Sequence, residues 1–287
     1  MSHVEVGLAS TDLSATRTLL EAGLAADRIS EHEYLTGTVR ISLQQATQEH
    51  PSGLRYLAVH GPAMQSASQQ LAAAYPRREI GAGYECCVEG VLLRLGATAD
   101  PAPSNTGSGN VRGIDHLGVA ADATEALTSA LCSAVGFRPE SRQIDTQMSV
   151  PLEVFSSDHY GVVSRSGQPR PAGALLVTFL RYAGTDVEIL EDIMATGDVS
   201  RDGPGSTTGD NRAIANFVAR RGPGLHHLAM RVESMAEGIA AVKACGVRMI
   251  DDHGRPGSRG GHIAFADRRS TGGIVVHLVQ REEPGND

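Results

Sequence analysis

Four segments of this chain repeat one plan: a short apolar strand, an amphipathic helix closing near glycine, then further strand-like runs. That recurrence restricts the fold more than any other feature, because a unit of this size cannot bury both faces of its own sheet and must pair with a neighbour. The third and fourth copies are the clearest. "IDHLGVAADATEALTSALCSAVGF" alternates apolar residues as far as Val119 and offers Asp122 as a cap. Helical spacing follows through Ala123, Leu127, Leu131 and Val135, with a stop at Gly136. "LHHLAMRVESMAEGIAAVKACGV" sets Ser234 and Glu237 in capping-box spacing, places Met235, Ile239 and Val242 on one helical face and stops at Gly246. "VEVGLASTDLSATRTLLEAGL" and "LRYLAVHGPAMQSASQQLAAAY" are weaker first and second copies. Strand-like runs follow each helix, at 37–45, 83–97, 173–191 and 261–280.

Between the second and third copies lies "GATADPAPSNTGSGNVRG", whose Pro, Gly, Ser and Asn content is that of a linker. The expected organisation is a metal-free N-terminal pair of modules at 1–97, a linker at 98–112, a second pair at 113–282 and a tail at 283–287.

Matching the strand starts puts Glu5, Tyr56, His116 and His227 in one column, and matching the last strands puts Arg40, Arg94, Glu188 and His277 in another. The second half thus gathers four side chains able to bind a metal, whereas the first half carries two arginines that would repel one. Period-two alternation predicts that the neighbours His226 and His227 face opposite ways, as do Glu188 and Glu191. Any one of these histidines could be an ordinary core-edge residue; four donors on equivalent positions of a repeat argue otherwise.

The formal charge of −8 disfavours a sequence-independent nucleic-acid binder, which needs a basic surface to displace counterions. No apolar run approaches membrane-helix length. Four cysteines without a C-x-x-C pair, and no signal-like start, suggest free thiols in a reducing cytoplasm. The expected partner is a small molecule rather than nucleic acid or membrane.

"GIDHLGVA", "DVEILED", "GPGLHHLAMRVESM" and "FADRRSTGGIVVHLVQ" resemble the vicinal oxygen chelate superfamily, the glyoxalase and extradiol dioxygenase group, over about 60% of the chain. The resemblance implies an α+β fold of tandem βαβββ modules, four here, forming two domains of curved mixed sheet around a metal cavity. Carried over by position, it makes His116, Glu188, His227 and His277 the metal ligands. Within the superfamily the motifs resemble methylmalonyl-CoA epimerases, although those usually carry Gln near Glu188 and Glu where His277 stands. The four-module length instead resembles extradiol and hydroxyphenylpyruvate dioxygenases and the cyclitol epimerases acting on 2-epi-5-epi-valiolone. The dioxygenases place a glutamate where this chain has His277. Family habit also allows a homodimer.

Three histidines and a carboxylate suit zinc, with iron, nickel, cobalt or manganese as alternatives, better than magnesium. A divalent ion that chelates a carbonyl and its neighbouring hydroxyl acidifies the adjacent proton, and the expected reaction is epimerisation through a metal-stabilised enediolate. Four protein ligands would close a tetrahedral site, so for catalysis the site must expand its coordination or one ligand must leave; a displaced Glu188 could then serve as base. The epimerase base position near "LLVTFL" offers only Thr178; His262 is the leading replacement, with Glu153 and His159 behind it. A cyclitol ketone is the preferred substrate. Arg220, Arg221, Arg255 and Arg259 could instead meet the phosphates of an acyl-CoA. An Fe(II) dioxygenase and a metallo-antibiotic-binding protein are the competing classes.

Overall fold

The four-fold plan becomes two sheets of the same topology. The computed structural model describes residues 2–96, 110–149, 152–159, 161–194 and 212–281. The first sheet is built from β1 (His3–Ser10), α1 (Leu13–Thr18), β2 (Asp27–Arg28), β3 (Glu33–Thr36), β4 (Val39–Gln45), β5 (Gly53–His60), α2 (Met64–Leu71), β6 (Arg77–Ile80), β7 (Gly83–Val88) and β8 (Val91–Gly96). The second begins with β9 (Val111–Ala121), α3 (Thr124–Ala130), β10 (Arg138–Ser149), a separate hairpin of β11 (Leu152–Ser157) and β12 (Gly161–Ser166), β13 (Arg170–Tyr182) and β14 (Thr185–Asp192). It continues through α4 (Ala213–Arg221), β15 (Gly224–Val232), α5 (Met235–Ala244), β16 (Arg255–Pro256), β17 (His262–Phe265) and β18 (Val275–Gln280).

Each sheet has eight strands, ordered β2-β3-β4-β1-β5-β8-β7-β6 and β10-β13-β14-β9-β15-β18-β17-β16. The module-opening strands, β1 with β5 and β9 with β15, run antiparallel at the centre, and each is flanked by the parallel last strand of its own module. This is the mixed α+β architecture expected from the repeat. The expected linker falls mostly on residues outside those described, as does the tail; Val111 and Arg112 already belong to β9 rather than to the linker.

Local chemistry explains most boundaries. Asp12 caps α1 by accepting from the Ala15 amide at 3.0 Å, and Ser234 caps α5 through the Glu237 amide. Gly136 and Gly246 close their helices at φ of 90° and 81°. Asp122 is not the cap of α3: the Glu191 carboxylate, arriving from β14, accepts from the Thr124 amide at 3.0 Å. The helices α1, α2, α3 and α5 pack on their sheets, and α2 meets the turn at 131–135 while α5 meets the turn at 19–23, so the apolar residues of both halves merge into one core. The helix α4 is separate and packs Ile214, Phe217 and Val218 on Ala120, Val177, Phe179 and Leu190.

The register corrects one column of the sequence alignment. Gly7 lies opposite Tyr56 and Ser42, just as Gly118 lies opposite His227 and Glu188. The counterpart of Glu188 is therefore Ser42, two residues beyond Arg40, whereas Arg94 does correspond to His277, both lying opposite an alanine of the central strand. In the first half these positions close on themselves. The Tyr56 hydroxyl donates to Glu5 at 2.6 Å, and the Arg94 guanidinium stacks over the Tyr56 ring at 3.7 Å while bonding Glu85 at 2.8 Å. Burial, with the Glu5 charge beside it, pushes the Tyr56 hydroxyl up to about 12.

A Cβ at Gly7 would overlap the Tyr56 ring. Gly7→Ala is therefore expected to destabilise the protein by about 1–3 kcal/mol through overpacking, with partial recovery in the Gly7→Ala/Tyr56→Ala double variant. Urea denaturation measures both; equal stability of the wild type and Gly7→Ala would show that the tyrosine packs elsewhere.

Candidate metal centre

Three histidines from the second sheet cluster together, His116 from β9, His227 from β15 and His277 from β18, and Glu188 from β14 lies against the first two. All are buried, none more than 4% exposed. The Nε2 atoms of His116 and His227 are 3.2 Å apart, and Glu188 Oε2 lies 3.2 Å from the first and 3.3 Å from the second. Bonds of about 2.0–2.1 Å at a tetrahedral angle space donors by about 3.3–3.4 Å, which these separations match. One ligand atom from each of the three histidines lies within 4.8 Å of the others. Among the described residues, neither ring nitrogen of His277 has a hydrogen-bond partner despite burial. Burying an imidazole this way is costly unless something else uses its lone pair, and a divalent cation would do so. The residues present therefore fit such an ion.

The backbone prepares this convergence. A Cβ on Gly118 would collide with the His227 ring, so glycine clears the space that the ring fills. Alternation fails at one place, because a register shift between Leu225 and His227 leaves His226 as a bulged residue. His226 consequently does not turn away, as strict alternation predicted. Its Nδ1 lies 3.0 Å from His227 Nδ1, and its ring packs edge-on to Phe217 of α4 at 4.8 Å. His227 can donate through Nδ1 to His226 and keep Nε2 free on the donor side. On the other flank Asp115 accepts from His116 Nδ1 at 2.7 Å and is itself bonded by Arg281. Such outer partners fix the tautomer and aim of a ligating histidine.

The electrostatics follow from burial and proximity. Burial alone would push His116 down, yet Glu188 and Asp115 outweigh it and hold the ring up at about 9. Burial would raise Glu188, but His116 and His227 keep it ionised, well below the usual carboxylate range. Burial pushes His227 and His277 down, and the neighbouring rings push His277 further. His226 is pushed down to about 3, by burial first and then by His227. The cluster thus sets the Glu188 carboxylate against His116, while burial favours the neutral imidazole at His227 and His277.

Glu188 Oε1 accepts from the Ser258 hydroxyl at 2.9 Å. Ser258 sits on a turn whose next residue, Arg259, takes a left-handed φ of 56°, bonds Asp186 at 2.8 Å and stacks on Phe179 at 3.6 Å. Phe179 in turn meets His116 edge-on at 5.5 Å.

His262 is not brought to the centre. It lies opposite Gln280, whose amide oxygen accepts from the Met235 amide at the start of α5, and the His262 side chain packs beside Gly254 near Met235. Three residues further along β17, Phe265 takes the donor face and packs edge-on to His277 at 4.6 Å. Thr178 neighbours Phe179, which takes the donor face, and alternation turns Thr178 away from it. His159 lies at the exposed turn between β11 and β12. Of the arginines considered for phosphates, Arg255 pairs with Asp251, Arg259 with Asp186 and Glu140, and Arg221 donates to the Ser52 carbonyl.

Comparison with known proteins shows the family. The sequence profile of the Glyoxalase/Bleomycin resistance protein/Dioxygenase superfamily matches residues 115–265, and the chain belongs to that superfamily, whose members generally bind divalent metals. It is 29% identical over 104 residues to the uncharacterized protein YqjC of Bacillus subtilis, covering 36% of this chain and 64% of that protein. It is 28% identical over 74 residues to the mitochondrial methylmalonyl-CoA epimerase of Dictyostelium discoideum, covering 25% of this chain and 45% of that enzyme. The chain thus spans less than two thirds of either relative. A mutant 4-hydroxymandelate synthase of Streptomyces coelicolor shares the fold over 100% of this chain and 94% of its own, with a TM-score of 0.61 at 13% identity. No helix among the described residues is long and apolar enough to cross a membrane.

Replacing Asp115 by Asn should weaken metal binding by about 10–100-fold, the usual cost of losing an outer partner, and His277→Ala should weaken it at least as much. Competition with a chromogenic chelator reads both affinities; a wild-type protein that takes up no zinc, cobalt or iron would refute the site.

Proposed function

We propose that this chain is a metal-dependent epimerase that inverts a carbon next to a carbonyl by moving its proton. The observation that carries the reading is His277. Two histidines and a carboxylate alone would form the open triangular face used by Fe(II) oxygenases, whereas a third imidazole turns the set toward a Lewis-acid site. A bound divalent ion, zinc first among the candidates, supplies positive charge that makes the proton beside a coordinated carbonyl more acidic.

The chain's own residues supply the rest. His116, His227 and His277 hold the ion, with Asp115 and His226 aiming the first two. Glu188 completes the donor set and is the carboxylate assigned to proton transfer. The Ser258 hydroxyl anchors its Oε1, so Oε2 can leave the histidines and accept a proton without the side chain leaving the site. The helix α4 and the rings of Phe179 and Phe265 wall the donor face. The substrate is a small hydroxy-carbonyl compound, and the cyclic polyhydroxy ketone expected from the chain's four-module length is the first to test.

The zinc-loaded protein should wash solvent deuterium into one carbon of such a substrate, followed by NMR in deuterium oxide. His116→Ala and His227→Ala should abolish the exchange. Oxygen uptake by the iron-loaded protein, with no exchange by the zinc-loaded one, would instead establish the dioxygenase reading, which the close trio of His116, His227 and Glu188 favours.

A further inference from the structure

A cleft of about 390 Å³ opens beside the metal centre, with Ile250, Phe265 and Val275 on its apolar side and Arg268 and Arg269 on its polar side. None of the donors lines it, but it borders them: Phe265 packs against His277, and Val275 is the register partner of His227. The third polar residue of the lining, Asp267, is already paired with Arg248 at 2.9 Å. Arg268 and Arg269 differ from the other arginines around the centre. Arg255, Arg259 and Arg281 all bond carboxylates, whereas no ion pair to Arg268 or Arg269 occurs among the described residues.

The turn that carries them is held rigidly, and by the other half of the molecule. The Arg268 carbonyl accepts from the Gly273 amide at 2.8 Å and the Thr271 hydroxyl at 3.1 Å. From the first half, the Thr11 amide donates to the Gly272 carbonyl at 2.9 Å, and the Thr16 hydroxyl to the Thr271 carbonyl at 3.2 Å. Gly273 sits so close to Ser52 that a side chain there would strike its hydroxyl. Arg268 and Arg269 are themselves exposed at the rim of this cleft, and the fixed backbone of the turn keeps both beside its apolar floor.

We propose that Arg268 and Arg269 form the anion-binding end of the substrate cleft, so that the substrate carries a carboxylate or phosphate on the arm remote from the oxygens that face the metal donors. This rests on the metal-centre reading above and narrows it: an uncharged cyclitol would leave this end of the cleft unused, whereas an acidic or phosphorylated hydroxy-carbonyl compound would fill it.

Calorimetric titration of the zinc-loaded full chain tests this with probes of matched shape. 2-Hydroxyglutarate offers a chelating hydroxy acid with a distal carboxylate, 2-hydroxypentanoate the same chain with a neutral end, and the analogue with a distal phosphonate separates a phosphate-type arm from a carboxylate one. At least about tenfold tighter binding of one charged probe than of the neutral probe is expected, and the difference should vanish in Arg268→Gln/Arg269→Gln. Equal binding of charged and neutral probes by the wild type, a preference that survives in the double variant, or no binding of any probe would overturn the proposal. The wild-type comparison needs no variant to fold. Zinc content measured on the same sample separates the two failures: a chain that takes up no zinc fails the metal reading, whereas a loaded chain indifferent to probe charge fails only this one.

Discussion

The second half is organised by one electrostatic demand. Four polar side chains are withdrawn from water side by side, and although His116, His227 and Glu188 meet one another, His277 is left over. Three imidazoles and one carboxylate offer more lone pairs than protons, and among the described residues His277 has no hydrogen-bond partner on either nitrogen. A bare cluster of this kind costs stability, and a divalent ion removes that cost. The arrangement of the central strands makes the cluster possible: β9 and β15 run antiparallel and β14 and β18 flank them, so that each contributes one side chain to it.

Much of this was legible in the amino-acid sequence because it is written as repetition. The strand–helix–strand plan recurs four times, with capping residues and terminal glycines marking some of its copies, and recurrence turned four separate histidine and glutamate positions into a set whose members lie close together in the fold. What stayed hidden depends on irregularity or on partners remote in sequence. Alternation put His226 on the wrong face because one bulged residue breaks the period, and no local signal marks that bulge. The cap of α3 was missed because Glu191 reaches it from a different strand. The Arg40 column was two residues out because strands of unequal length were matched by their ends. His262 looked chemically apt, yet its face follows from pairing with Gln280, which composition does not reveal. The helix α4 and the β11–β12 hairpin belong to no repeat and so had no second copy to point to them.

The first half is more than a structural remnant. Its turn at Ser10–Thr16 and its Ser52 loop grip the 271–273 segment of the other half. The cleft beside the donors is therefore shaped by residues far from any ligand, and a change in the first half could alter the cleft without touching the metal.

The two glycines opposite bulky rings carry a last implication. Gly7 makes room for Tyr56 as Gly118 makes room for His227, so both halves obey one steric rule although only one assembles a donor set. In the first half the Arg94 guanidinium stands at the position of His277, a positive charge tethered to the chain rather than borrowed from solution. The scaffold thus separates the shape of a cation site from the choice of cation. Whether such a half works by chemistry or by support is decided by four side chains on a backbone common to both.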